Sequence, residues 1–267
     1  MTRSRPHVLL LGGTSEASAL ARLLAARSDI PAMVSLAGRT INPAPPPIAH
    51  RIGGFGGVEG LCAFLEENAV TALIDATHPF AERMSANAVE AARRMGVPLL
   101  ALRRPAWLAV DGDRWREVPD AEAAVEALGT APRRVFLTTG RLELPAFLAA
   151  PQHFYLVRSV DPPEELPPRA RLILARGPFA EADDYSLMQD EAVDVLVTKN
   201  SGGSATYGKI AAARRLGLPV ILLRRPGTAE VETVATAQEA LAWIEHRGAG
   251  LQTSPETSRP PERQSRV

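Results

Sequence analysis

The sequence predicts an α/β protein of two Rossmann-like halves, each a doubly wound parallel sheet, with a cleft between them. Three observations predict it. Short apolar runs that stop at glycine or a polar residue alternate with alanine-rich amphipathic stretches, the pattern of βα units. That rhythm breaks after Pro105 and then starts again. Residues 95–105, Met-Gly-Val-Pro-Leu-Leu-Ala-Leu-Arg-Arg-Pro, echo residues 216–226, Leu-Gly-Leu-Pro-Val-Ile-Leu-Leu-Arg-Arg-Pro. The echo has two readings, a duplicated half or one αβ connection reached twice.

In chain order, the apolar runs predict strands over 7–11, 31–36, 72–75 and 98–102. Helices fall over 15–27, 58–67 and 81–95, the last stopped by Gly96 and Pro98. Residues 106–119, with Trp107, Asp111-Gly112-Asp113 and Trp115, break the period and read as a crossing segment with a tight turn. The second series has strands over 135–139, 154–157, 171–175, 193–198 and 219–223, and helices over 142–149, 179–190, 204–216 and 237–246. This gives an N-terminal half over 1–104 and a C-terminal half over 105–247. Residues 248–267 are rich in Ser, Pro, Arg and Glu without periodicity, the composition of a disordered tail.

Composition excludes several classes. With 267 residues the chain buries a real core without disulfide or metal staples. Thirty basic residues balance thirty acidic ones and aromatics are 5%, which argues against nucleic acid as a partner. Apolar runs such as 8–11 and 220–223 fall far short of the roughly 20 residues a membrane span needs. Cys62 is the single cysteine, no Cys and His spacing resembles a zinc site, and no metal is expected. A reducing cytoplasm fits. Of the basic residues 28 are arginine and two are lysine, Lys199 and Lys209. Either coding bias explains this, or a compact ammonium is needed there where a planar guanidinium would not serve.

The chemistry-bearing segments sit where strands end. Gly12-Gly13-Thr14-Ser15-Glu16 joins the first strand to the first helix, where glycines and free amides admit a pyrophosphate; a plain turn with a Thr cap is the alternative, since G-x-G-x-x-G is not satisfied. Arg39 follows the second strand, where no acidic residue offers itself to a ribose hydroxyl. It suits the 2′-phosphate of NADP, or is a solvated surface arginine. The next segment, Asp75-Ala76-Thr77-His78-Pro79, puts Thr77 and His78 at a strand's carboxyl end, facing ligand or simply packed. Residues 53–57, Gly-Gly-Phe-Gly-Gly, form a lid or a plain loop. In the second half, Thr139, Gly140 and Arg141 repeat the strand, glycine and helix logic, and Lys199-Asn200-Ser201-Gly202-Gly203 with Lys209 gathers amides, hydroxyls and two ammonium groups suited to carboxylate or phosphate.

Together these segments resemble the precorrin-6A reductase family of cobalamin biosynthesis. The motifs are Gly-Gly-Thr-Ser-Glu-Ala at 12–17, Ala-Gly-Arg-Thr at 37–40, Gly-Gly-Phe-Gly-Gly at 53–57, Asp-Ala-Thr-His-Pro-Phe-Ala at 75–81, Arg-Pro-Ala-Trp at 104–107, Gly-Pro-Phe at 177–179 and Val-Thr-Lys-Asn-Ser-Gly-Gly at 197–203. The resemblance implies a reductase that delivers hydride from NADPH to one double bond of a tetrapyrrole, precorrin-6A, giving precorrin-6B. It implies Gly12, Gly13, Thr14, Ser15 and Glu16 on the pyrophosphate side and Thr77, His78 and Pro79 near the nicotinamide. Thr139, Gly140, Arg141, Lys199, Ser201, Gly202, Gly203 and Lys209 would face the substrate, with His78, Lys199 or water as the proton source. Partners would be that tetrapyrrole and neighbouring pathway enzymes. The rivals are the cobalt-loaded substrate of the anaerobic pathway and a non-catalytic NADP-binding sensor. An extended short-chain reductase is disfavoured because Lys209 follows Tyr207 by two, not four.

Overall fold

The computed structural model describes residues 7–38, 45–227 and 230–250. Its elements run β1 (Val8–Leu11), α1 (Ser15–Ala25), β2 (Ala32–Leu36), β3 (Ala49–Ile52), α2 (Val58–Glu67), β4 (Ala72–Asp75), α3 (Glu82–Met95) and β5 (Leu99–Leu102). Then come β6 (Trp115–Val118), α4 (Ala121–Leu128), β7 (Arg134–Leu137), α5 (Leu144–Phe147), β8 (Phe154–Ser159), β9 (Ala170–Leu174), α6 (Glu181–Asp190), β10 (Val195–Lys199), α7 (Gly208–Arg215), β11 (Val220–Leu223), β12 (Thr233–Val234) and α8 (Ala237–Gly250).

Two six-stranded parallel sheets result, ordered β12-β5-β4-β1-β2-β3 and β6-β11-β10-β7-β8-β9. The fully apolar β1 is buried on both faces, as a central parallel strand should be. Val8 and Leu10 pack under α1 and α8, whereas Leu9 and Leu11 pack under α2 and α3. In the second sheet Val195 and Val197 face α4 and α5, and Leu196 faces α6 and α7. The period of two along each strand therefore builds two layers of helix per sheet.

The sheets match strand for strand, with their outermost strands exchanged. After β5 the chain leaves the first sheet and lays β6 beside β11, pairing Val220 with Trp115. After β11 it returns and lays β12 beside β5, pairing Thr233 with Ala101. The two echoing Arg-Arg-Pro turns, at 103–105 and 224–226, are these two departures. The expected division into 1–104 and 105–247 therefore needs correction at its far end. Ala237, Ala240, Trp243 and Ile244 of α8 seal the first half's core beside α1, and the amides of Ala101 and Arg103 donate to the carbonyls of Glu232 and Val234. A strand and helix at the C-terminus fit either sheet on local pattern alone, and only the pairing decides. The final helix also reaches Gly250, so residues 248–250 belong to it; the rest of the expected tail lies outside the described residues.

Among elements the sequence did not predict, β3, β6 and β12 are edge or near-edge strands, short and largely unburied. The remaining one, α4, starts at Asp120, whose side chain accepts from the amide of Ala123 at 2.8 Å. Among the described residues, no helix is long and apolar enough to cross a membrane.

Candidate functional site between the two halves

The first strand ends in a turn built for close approach. A Cβ at Gly12 would lie 2.8 Å from Cγ2 of Val34, so only glycine lets the turn sit against β2. Gly13 has φ +137° and open space where a side chain would be. Thr14 caps α1: its hydroxyl accepts from the amide of Ala17 at 3.1 Å and donates to the carbonyl of Ala76 at 2.9 Å. One hydroxyl thus fixes the helix start and ties it to the end of β4. The open backbone above Gly13 and the unpaired amides of the first turn fit a cofactor phosphate.

Glu16, in that first turn, is committed elsewhere. Its carboxylate pairs with Arg104 at 2.8 Å, and Ser15 donates to it at 3.1 Å. A carboxylate facing a phosphate would repel it, so Glu16 serves to hold Arg104. Arg39 lies outside the described residues. The glycine loop at 53–57 is pinned: Arg51 lies 4.2 Å over the Phe55 ring and donates to the carbonyls of Gly53 at 2.9 Å and Gly54 at 3.0 Å.

At the end of β4, Asp75 organises the turn. Its buried carboxylate accepts from the hydroxyl of Thr77 at 2.7 Å, from Ser85 at 2.6 Å and from Arg103 at 3.1 Å. The hydroxyl of Thr77 therefore points into this network, not outward as expected. Pro79 is buried in the same turn. His78 does reach the space between the halves; its Nδ1 accepts from the amide of Phe80 at 3.3 Å. Burial, then the charges of Lys199, Arg104, Arg225 and Lys209, push its imidazole down to about 3, so it is neutral at pH 7.

His78 lines one side of a cavity of about 1030 Å³, whose other lining residues come from the second half, at the carboxyl ends of its strands and in the loops and helices that follow them. Thr139, Gly140 and Arg141 follow β7, Ser159 ends β8, Lys199 ends β10, and Ser201 follows it. Lys199 pairs with Glu143 at 2.5 Å and lies 5.0 Å from the ring centroid of Phe80, from the first half. Two buried polar atoms in this wall, Thr139 Oγ1 and Glu143 Oε2, have no hydrogen-bond partner. Such atoms persist where a ligand supplies the missing partner. Leu142 and Val160 expose apolar surface to the cavity, and Asp161, Glu164 and Glu165 also line it.

Deeper in, Lys209 lines the same cavity yet is only 4% exposed. It donates to the carbonyl of Thr206 at 2.8 Å and lies 5.1 Å from the Trp107 ring. Burial, then the positive charge of Arg158, push its ammonium down to about 7. Arg158 itself stacks 3.7 Å from the ring centroid of Phe179 and is ion-paired with the buried Asp184. No sequence signal marks Arg158, Asp184 or Glu143, because a charged residue within or beside a strand or helix looks like surface until its neighbours are known.

The glycine-rich stretch after Lys199 divides its work. Asn200 grips the backbone of Trp107, accepting from its amide at 2.8 Å and donating to its carbonyl at 3.0 Å. The carbonyl of Ser201 accepts from Arg104 at 2.7 Å and from Arg225 at 3.0 Å. Gly202 and Gly203, expected at the substrate, instead face the crossing segment. A Cβ on Gly202 would meet the carbonyl oxygen of Pro105 at 2.1 Å, and one on Gly203 would meet Arg104 Cδ at 2.5 Å. Their φ values of +69° and +68° are those of a turn that lets the segment pass over it.

Comparison with known proteins agrees with this architecture. The profile of the family described as "Precorrin-6x reductase CbiJ/CobK" matches residues 7–245. A protein of Sinorhizobium sp. named precorrin-6A reductase is 54% identical, over 91% of this chain and 94% of its own. One of Priestia megaterium named cobalt-precorrin-6A reductase is 33% identical, over 82% of this chain and 90% of its own. A solved structure titled "CobK precorrin-6A reductase" superposes with a TM-score of 0.87 at 50% identity, covering 91% of this chain and 97% of that one. The two exchanged sheets, the cavity between them and the match along nearly the whole described chain lead to one conclusion: this chain belongs to the precorrin-6x reductase family.

Proposed function

We propose that the chain reduces one double bond of metal-free precorrin-6A to give precorrin-6B, with NADPH as reductant. The observation that carries this reading is the cavity. At about 1030 Å³ it is at the upper end of small-molecule sites and suits a macrocycle. Arg141 and Lys199 offer cationic groups for peripheral carboxylates, Leu142 and Val160 offer apolar surface for the ring, and Thr139 and Glu143 each hold an unsatisfied polar atom.

The open turn at Gly13 and the first amides of α1 hold the cofactor's pyrophosphate, with Ser15 beside them and Thr14 fixing the turn. A bound nicotinamide supplies hydride. Neutral His78, wedged between the halves, shields the reacting face without adding positive charge, and the pinned Arg51 loop keeps β2 and β3 in place. Lys199, with Glu143, orients a substrate carboxylate or ring N–H.

Metal-free substrate is favoured over cobalt-loaded by the resemblance, 54% to the relative named for the first against 33% to one named for the second. Steady-state rates with the two substrates test this. Faster turnover of metal-free precorrin-6A is expected; faster turnover of the cobalt form would reverse the assignment.

A further inference from the structure

Adding hydride across a double bond leaves one atom in need of a proton. Five nitrogen-bearing side chains line the cavity; the guanidinium groups of Arg141 and Arg158 do not release a proton, and two of the other three are unsuited. Nδ1 of His78 already accepts an amide hydrogen, and its ring stays neutral beside four cations. Lys199 is bound in an ion pair with Glu143, so its ammonium is already engaged by a carboxylate.

We propose that Lys209, recessed in the cavity wall with one carbonyl as its fixed acceptor and no carboxylate paired with it, is the proton donor of the reduction. This rests on the reductase reading above. As one atom of the double bond takes hydride, an N–H bond of the Lys209 ammonium breaks and its proton forms the new bond at the other. The lysine is left as the neutral amine, and solvent in the cavity returns the proton. The substrate gains two hydrogens, the reductant gives up two electrons, and charge balances.

The surroundings of Lys209 suit this cycle. The charged and titratable groups facing it are Arg158 from β8, Asp184 from α6, Arg104 from the crossing after β5, and His78 across the cavity. Asp184 is ion-paired with Arg158 through one oxygen, its other oxygen is buried without a hydrogen-bond partner, and its charge offsets only part of the effect of burial and of Arg158 on Lys209. Both forms of the amine keep a partner: the ammonium donates to Thr206 and lies near the Trp107 ring, and the neutral amine retains that donation. A donor whose two protonation states are close in free energy near neutral pH is the most effective kind. An arginine at this position would not release a proton, which gives a physical reason for one of the chain's two lysines.

Because the chain has two lysines, ¹³Cε-lysine labelling gives two NMR signals, assigned by the one that vanishes in Lys209→Met. The expected result is that the Lys209 signal titrates near neutral pH; titration at about 10.4, the ordinary lysine value, would overturn the proposal. In turnover, wild-type kcat should fall as pH rises through the Lys209 titration. Lys209→Met should lose that limb and about 100-fold in kcat, with KM changed far less. Retention of the limb and of kcat in Lys209→Met would overturn the proposal and leave the reductase reading intact. Absence of turnover by the wild-type protein with either precorrin would overturn that reading and this step with it.

Discussion

Arg104 and Glu16 form an ion pair at 2.8 Å although 88 positions separate them in sequence. The same guanidinium donates to the carbonyl of Ser201, so one side chain connects the start of α1 to the loop after Lys199. Both side chains are mostly buried, which shields the pair from solvent.

Arg104→Met should therefore loosen the two halves from each other. Losing two charge-assisted hydrogen bonds of this kind costs about 2–4 kcal/mol, read as a lower urea midpoint. An unchanged midpoint would show that Arg225, which also reaches Ser201, suffices to hold the loop.

The buried pair of Arg158 and Asp184 gives a sharper expectation. Asp184→Leu leaves a guanidinium without its counter-charge beside Lys209, and should cost about 3–5 kcal/mol. The double variant Arg158→Met, Asp184→Leu should recover much of that loss, because the desolvated charges go together. Additive losses in a double-mutant cycle would mean the two do not interact.

His78 makes stability depend on pH in a defined direction. Its value is about 3 in the folded protein, through burial first and the surrounding cations second, against about 6.5 unfolded. The unfolded chain therefore binds the extra proton between these values, and its contribution to stability is lost progressively as pH falls from 6.5 toward 3. Compared with His78→Asn, the wild-type protein should lose several kcal/mol more across that window. Parallel pH curves for the two proteins would contradict the assigned burial.

For the cofactor, Arg39→Ala should weaken NADPH by at least 10-fold, on the order of 1.4 kcal/mol, and leave NADH nearly unchanged. Titration by fluorescence or calorimetry measures both. Equal weakening would show that Arg39 does not read the 2′-phosphate.

The central strands were legible because a buried parallel strand has to be apolar: Val8–Leu11 and Val220–Leu223 announce themselves. The edge strands were not, since Ala49–Ile52 and Trp115–Val118 carry exposed polar residues and pair on one side or with a partner far away in the chain. The crossing after Pro105 is marked in the sequence, but which sheet receives β6 and β12 is not, because only the pairing with β11 and β5 decides it. At the site, motifs at strand ends pointed to His78, Thr139 and Lys199, which do line the cavity. They misdirected where a motif residue serves the scaffold: Thr77 holds Asp75, and Gly202 and Gly203 make room for the crossing segment. Glu143 and the Arg158–Asp184 pair depend on tertiary neighbours that no spacing reveals.

The most direct test of the reductase activity is to incubate the purified protein with NADPH and metal-free precorrin-6A, following the absorbance of the reductant and the mass of the product. Stoichiometric NADPH oxidation and a product heavier by two hydrogens are expected. NADPH bound without oxidation, and substrate recovered at its original mass, would contradict it.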